Sequence, residues 1–247
     1  MSNEKIPEKL VSLYHSSNRL MNDAIDRLVV KLYIYKHQYQ KNTILLSGCG
    51  TRNGTTMIAI NLAVALAGAG WSTLLVDADM RKRMKYKRLN SDIAGLSDYL
   101  EGDAEVTGII CPTDKEKLYY VKCGEPKTNA VRLLSSRRML DFVSTTSDKF
   151  DFVVFDCPSL TVVPDATVLF SSVDLISLVL ALNCSTKKQL ARAKQEIAKY
   201  DDKYAGLIVN RVDRKQYKNA FPQHNYFEEG NIRKLHLRAL KKVKDKE

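Results

Sequence analysis

The sequence predicts a doubly wound α/β fold, a mostly parallel sheet flanked by helices, and three observations carry that expectation. Short apolar runs recur without polar alternation: Ile44 to Leu46, Leu74 to Val76, Leu118 to Val121, Phe152 to Phe155, Leu175 to Leu182 and Leu207 to Val209. Strands that read this way are covered on both faces. Helical stretches separate the runs, which is the rhythm of a parallel sheet built from βαβ units. A chain of 247 residues, 45% of them hydrophobic, is long enough for one large core of this kind and short for two.

Residues 1–40 form a segment before the first strand. Between Lys9 and Gln40 the apolar positions Leu10, Leu13, Leu20, Ile25, Leu28 and Leu32 predict one or two helices packed on the sheet edge. Residues 41–212 make the α/β core. Its first strand, Ile44-Leu45-Leu46, and the apolar helix from Met57 to Leu66 enclose a loop where a phosphate-binding loop belongs. In the pattern GxxxxGK[ST], backbone N–H groups cradle phosphates, the lysine reaches the β and γ phosphates and the hydroxyl holds Mg²⁺. Here Gly50, Thr51, Arg52, Asn53 and Gly54 supply the loop, Thr55 stands at the lysine position and Thr56 at the magnesium position.

Two later strands end in carboxylates, the second in Asp77-Ala78-Asp79-Met80-Arg81 and the fourth in Asp156-Cys157-Pro158. Acids at the carboxyl ends of parallel strands lie where such folds bind ligands. Magnesium prefers hard oxygens and keeps several waters, so Thr56, Asp77 and Asp156 are its candidate ligands. Asp77 and Asp79 flank one residue of extended chain and should share a face. One would position the metal while the other accepts a proton from an incoming hydroxyl. The bland alternative is a pair of solvated strand-end aspartates. Residues 213–247 carry no strand signal; they form a basic tail in which Ile232, Leu235, Leu237 and Leu240 could make a weak helical stripe.

The formal charge of +11 implies an acidic partner: nucleotide phosphate, anionic lipid, nucleic acid or an acidic protein segment. Arg81 through Arg88 is densely cationic, but its one aromatic, Tyr86, is no stacking platform, so a nucleic-acid partner is not expected. Cys49, Cys111, Cys123, Cys157 and Cys184 show neither CxxC spacing nor a histidine cluster, which fits a reducing compartment without a zinc site. Cys49 is read as a small filler, with a reactive, low-pKa thiol as the alternative. The start of the chain lacks a signal-peptide core, and its longest apolar run is far below the roughly 20 residues that span a bilayer. A cytoplasmic protein is expected, peripheral at most on the inner face of the membrane and held there through a partner.

Several stretches together resemble the bacterial tyrosine kinase family, autophosphorylating P-loop proteins that accompany capsular and exopolysaccharide export. They are Gly54-Thr55-Thr56 through Ala63, Leu75 through Arg81, Gly95 through Leu100, Asn129 with Leu133-Leu134-Ser135-Ser136, Phe150 through Asp156 with Pro158, Asp165-Ala166, and Leu207 through Asp213. The resemblance implies a P-loop fold, ATP and Mg²⁺ as cofactors, and a membrane-embedded polysaccharide co-polymerase or export adaptor as partner. It also implies a homo-oligomer. By resemblance, Asn210 and Arg211 border the adenine, Thr56, Asp77, Asp79 and Asp156 serve Mg²⁺ and catalysis, and Arg81 belongs to the motif of the second strand, working near the phosphates or steadying the carboxylates.

Three departures from the family pattern coincide. Thr55 replaces the loop lysine, and no other lysine lies in the loop. A charge-assisted hydrogen bond contributes about 1.5 to 3 kcal/mol to binding, and a transition-state donor about 2.7 to 4 kcal/mol to rate, so binding could survive what catalysis would not. Arg52 or Arg81 would compensate only in part, because a planar fork is not a compact ammonium. In the amino-terminal helix, Asp23-Ala24-Ile25-Asp26-Arg27-Leu28-Val29 keeps only an approximation of the first acid of the family's Glu, Arg, Arg self-association pattern. The tail offers Tyr217 and Tyr226 where the family has a dense tyrosine cluster; they are candidate phosphosites or ordinary exposed aromatics. The expectation is a tyrosine kinase-like protein of polysaccharide export. The alternatives are a non-catalytic nucleotide-binding pseudokinase or scaffold for the same machinery, and a partitioning-type ATPase that binds DNA or membrane.

Overall fold

The structure is a computed structural model and describes residues 11–13, 19–81 and 93–220. The chain divides into two compact units, Met1–Asn210 and Arg211–Glu247. The first begins with α1 (Arg19–Tyr39), β1 (Thr43–Gly48), α2 (Thr55–Gly68) and β2 (Thr73–Asp77). It continues through α3 (Leu96–Glu101), α4 (Val106–Ile109), β3 (Cys111–Pro112), β4 (Leu118–Val121), α5 (Ala130–Leu134) and α6 (Arg137–Lys149). Then come β5 (Phe152–Cys157), a 3₁₀ turn (Pro164–Leu169), β6 (Leu175–Ala181), α7 (Lys187–Ile197), a second 3₁₀ turn (Ala198–Lys203) and β7 (Tyr204–Asn210). Of the second unit, α8 (Arg214–Ala220) is described.

The strands form one sheet in the order β3-β4-β2-β5-β1-β6-β7, parallel throughout except for β3 against β4. All six apolar runs are strands. β3 escaped the sequence because two residues, one of them proline, carry no periodic signal. The residues of β1 and β5 are buried without exception, as a central strand roofed on both sides requires.

Alternation along the strands sorts the core into two clusters. Leu46, Leu75, Tyr120, Val154 and Val179 face α2, and Leu45, Val76, Val121, Phe155 and Leu178 face the side covered by α3, α5, α6 and α7. The apolar character of α2 all round follows from its position, because α1 closes over its outer side: Ile25 and Leu32 of α1 share a cluster with Ile58, Leu62 and Leu66. Full burial of such a side chain is worth about 1.5 to 3 kcal/mol, and Met21, Leu28, Val29 and Tyr35 add partly buried contacts to these two anchors. The helix signal expected from Lys9 to Gln40 is thus realised as one helix from Arg19, with Leu10 outside the described residues.

Candidate nucleotide site

The loop between β1 and α2 is shaped by close approach. Gly54 caps α2 in the left-handed region, φ 81° and ψ 23°, and a Cβ there would collide with the Asn210 side-chain amide. A Cβ on Gly48 would lie 2.9 Å from the Gly50 carbonyl oxygen and 3.1 Å from Thr55 Oγ1, so the Thr55 hydroxyl is folded back over the crook of the loop. Gly50 is backed by the Gln189 amide from α7, 2.9 Å from where a Cβ would sit. Arg52 also takes a positive φ, 57°, uncommon for a side-chain-bearing residue, and like Thr51 it is exposed.

Neighbouring strand ends fix this shape. Asn53 is 2% exposed and donates from Nδ2 to the Val179 carbonyl at 2.8 Å and to Ser185 Oγ at 2.9 Å, while its own carbonyl accepts from Asn210 Nδ2 at 2.8 Å. The Asn53 Oδ1 acceptor has no partner, although it is buried. Ser159 Oγ donates to the Gly48 carbonyl at 2.9 Å, and Thr161 Oγ1 to that of Cys49 at 2.8 Å. The loop is therefore held by neighbouring elements, and its three glycines sit where a side chain would not fit.

The acids converge from the same direction. β2 and β5 are in register, with Asp77 opposite Asp156. Asp77 follows Val76, and Asp156 lies between Phe155 and Cys157, all three facing away from α2. Both carboxylates therefore point to the α2 face, on which Thr55 and Thr56 begin their helix. The Tyr120 hydroxyl on that face is pushed well above its ordinary pKa by burial, and then by the nearby charges of Asp77 and Asp156 among others. β2 ends at Asp77, whose Oδ1 accepts from the Asp79 N–H at 3.1 Å; Val76, Ala78 and Met80 all lie in the cluster away from α2, so the alternation that sets Asp77 and Asp79 on one side continues past the strand end.

Arg81 pairs with a carboxylate outside the strand-end set. Its Nε and Nη2 fork the Asp165 carboxylate at 2.6 and 2.9 Å, and Asp165 is fully buried on the first 3₁₀ turn, whose Ala166 and Leu169 belong to the cluster opposite α2. That hydrogen-bonded partner raises the Arg81 pKa further. Cys49 is buried and its thiol is pushed up to about 11 by burial, slightly offset by Lys194, so the filler reading stands and the low-pKa reading falls. Asn210 reaches the loop as described. Arg211, also at positive φ, 57°, opens the second unit, and in α8 Tyr217 is only 8% exposed, unlike an ordinary exposed aromatic. Tyr226, the cationic residues from Lys82 to Arg88 and the apolar stripe of the tail lie outside the described residues.

A cradle that a Cβ would fill and two in-register acids fit a phosphate chain with magnesium. Among the described residues no group of three or more histidine, cysteine or acidic side chains is placed to hold a metal ion. Magnesium at phosphates asks for less, one or two carboxylates and a hydroxyl with waters, which Asp77, Asp156 and Thr56 provide. Sequence reasoning missed Asn53's tethering role, Ser159, Thr161, Ser185, Gln189 and the Arg81 partner Asp165; only Asp165, within a recognised stretch, had left any signal.

Fold and site define a nucleotide-binding α/β protein with a P-loop architecture. Residues 48–245 match the CobQ/CobB/MinD/ParA nucleotide binding domain. The chain is 32% identical over 162 residues to tyrosine-protein kinase CpsD of Streptococcus pneumoniae serotype 4, covering 65% of this chain and 71% of that one. It is 27% identical over 207 residues to tyrosine-protein kinase wzc of Salmonella typhi, covering 83% of this chain and 28% of that much longer protein. The kinase domain of Escherichia coli tyrosine kinase ETK superposes with a TM-score of 0.70 at 25% identity, covering 78% of this chain and 77% of that one. The Pyrococcus horikoshii septum site-determining protein MinD, complexed with Mg-ADP, has a TM-score of 0.58 at 22% identity over 72% of this chain and 76% of its own, a likeness of fold alone. The chain belongs to the bacterial tyrosine kinase family, within the CobQ/CobB/MinD/ParA nucleotide-binding proteins.

Proposed function

We propose that the chain binds ATP with Mg²⁺ and acts as a tyrosine kinase-type protein of capsular or exopolysaccharide export, working in the cytoplasm with a membrane-embedded co-polymerase or export adaptor. The observation that carries the reading is the in-register pair Asp77 and Asp156 turned to the face of α2, whose first turn contains Thr56, beside a glycine crook. Bound ATP would supply the γ-phosphoryl group for a tyrosine hydroxyl. The loop amides and Thr56 would hold the phosphates and Mg²⁺ with Asp77 and Asp156, Asp79 or Asp77 would accept the hydroxyl proton, and Asn210 and Arg211 would border the base. Arg81 would steady the acid-bearing turn through Asp165. No helix among the described residues is long and apolar enough to cross a membrane, which supports attachment through a partner.

Thr55 supports a second reading, a non-catalytic nucleotide sensor that regulates the same machinery. Calorimetric ATP binding to the native chain, followed by a phosphotyrosine assay with and without the partner's cytoplasmic segment, separates the two. Phosphotyrosine formation supports the kinase, and saturable ATP binding without it supports the sensor. Absence of ATP binding removes both. A DNA-binding partitioning role has the CobQ/CobB/MinD/ParA match and the MinD likeness of fold behind it, and salt-sensitive, nucleotide-dependent DNA binding would be its mark.

A further inference from the structure

The loop brings no lysine to the phosphates, yet a lysine stands at the same sheet edge. Lys122 directly follows β4, whose last registered pair joins Val121 to Val76 of β2, so Lys122 follows Val121 as Asp77 follows Val76. Val121 faces away from α2, and alternation turns Lys122 to the α2 face, the face of Asp77, Asp156 and Thr56. The thiol of Cys111, buried in the α2-side cluster, independently feels the Lys122 charge, which partly offsets the rise that burial imposes on it. Lys122 is 7% exposed, and among the described residues its ammonium has no hydrogen bond or ion pair.

The stem of Lys122 is buried while its ammonium is not among the buried polar atoms left without a partner, so the charge emerges to solvent at the carboxyl edge of the sheet. The anion proper to this edge of the sheet is a phosphate. We propose that Lys122 is a phosphate-binding residue, meeting the terminal phosphate of a bound nucleoside triphosphate from the β4 side where the loop offers Thr55. The assignment rests on the nucleotide-binding reading above. It gives this chain a cation at the phosphates from a strand outside the loop, and it makes Lys122 the residue that tells a triphosphate from a diphosphate.

The test is calorimetric titration of the full chain with MgATP and with MgADP, for the native protein, Lys122→Met and Lys122→Arg, together with thermal melts of each without nucleotide. Lys122→Met is expected to weaken ATP about tenfold or more while changing ADP by less than about threefold, as loss of one charged contact to the last phosphate demands. Lys122→Arg should retain most of the ATP affinity. Without nucleotide, Lys122→Met should melt close to the native temperature, because methionine keeps the buried part of the stem and the ammonium it removes is solvated. Equal ATP affinity in native and Lys122→Met, or an equal loss for ATP and ADP, overturns the assignment and leaves the nucleotide site standing. A clearly lower melting temperature of nucleotide-free Lys122→Met overturns it too, because the lysine then has a structural partner. Failure of the native chain to bind either nucleotide overturns the underlying reading and the assignment with it.

Discussion

Replacing Arg81 with methionine tests whether the acid-bearing turn is held from behind. The substitution keeps much of the side chain's length and apolar stem but strips both donors from Asp165, which is fully buried and accepts them at 2.6 and 2.9 Å. Removing one partner of a buried pair costs about 3 to 5 kcal/mol because the other charge is left without compensation. The Arg81 side chain is 38% exposed, so water weakens the pair and the lower end, about 3 kcal/mol, is expected. For a chain of this size that corresponds to a fall in melting temperature of about 6 to 12 °C. Removing the stranded acid as well, in Arg81→Met with Asp165→Leu, should recover much of the loss, giving a coupling of about 2 kcal/mol in the double-mutant cycle. Circular dichroism melts of the four proteins without nucleotide provide the assay. A shift below about 2 °C for Arg81→Met, or strictly additive effects, would refute the fork as the anchor. If Arg81 instead worked on the phosphates, ATP affinity would fall while the nucleotide-free melting temperature stayed put.

Three other perturbations have defined outcomes. Gly54→Ala forces a side chain into the left-handed region and onto the Asn210 amide; it should lower stability by at least about 1 to 2 kcal/mol and abolish ATP binding, read by melts and calorimetry. Asp156→Asn removes a hard anionic oxygen while keeping size, so ATP affinity should lose its dependence on added Mg²⁺, measured by titration with and without the metal. For Cys49, the folded thiol holds its proton up to about pH 11 whereas the ordinary value is 9.0. Its contribution is therefore complete below pH 9 and fades as pH rises towards 11, by roughly 2 to 3 kcal/mol, because only the unfolded chain ionises in that interval. Denaturation curves should show a shallower loss over that window in Cys49→Ala than in the native chain, and equal slopes would count against the shift.

The strands were legible because a parallel sheet buried on both faces writes itself as continuous apolar runs, and the loop because Gly54 sits between such a run and a helix. Asp77 and Asp156 were legible for a related reason: a charged residue ending an apolar strand has few structural uses. Their common face needed the register, since alternation within one strand gives a relative side and pairing gives the absolute one. The common side of Asp77 and Asp79 was legible from the period of two, whereas the bond from the Asp79 N–H to Asp77 Oδ1 was not, because sequence cannot show where a strand stops. Arg81 was placed on the right element, but its partner Asp165 is 84 residues away. Lys122 was invisible because a lysine after an apolar run usually marks a solvated strand end, and only its buried stem on the α2 face sets it apart.

The pair Thr55 and Lys122 offers the sharpest check on how this site manages phosphate charge. Thr55 starts α2, and its hydroxyl already turns back over Gly48, so a lysine grown from the same backbone would send its ammonium into the loop crook. If the native site lacks a phosphate cation altogether, Thr55→Lys should tighten ATP by about tenfold, one charged contact, whatever stands at position 122. If Lys122 already meets the terminal phosphate, the two ammonium groups compete for the same oxygens and repel each other. The gain in the native background should then be small, and Thr55→Lys should restore ATP affinity fully only in Lys122→Met. Neighbouring groups that share a partner are non-additive, and interaction energies of about 0.5 to 3 kcal/mol are resolvable by calorimetry. Additive effects of the two substitutions would show that Lys122 and the loop do not act on one phosphate. A phosphotyrosine assay on the same proteins then asks whether a cation arriving from β4 supports transfer as well as binding, since transfer needs charge placed for the transition state and binding needs only charge nearby.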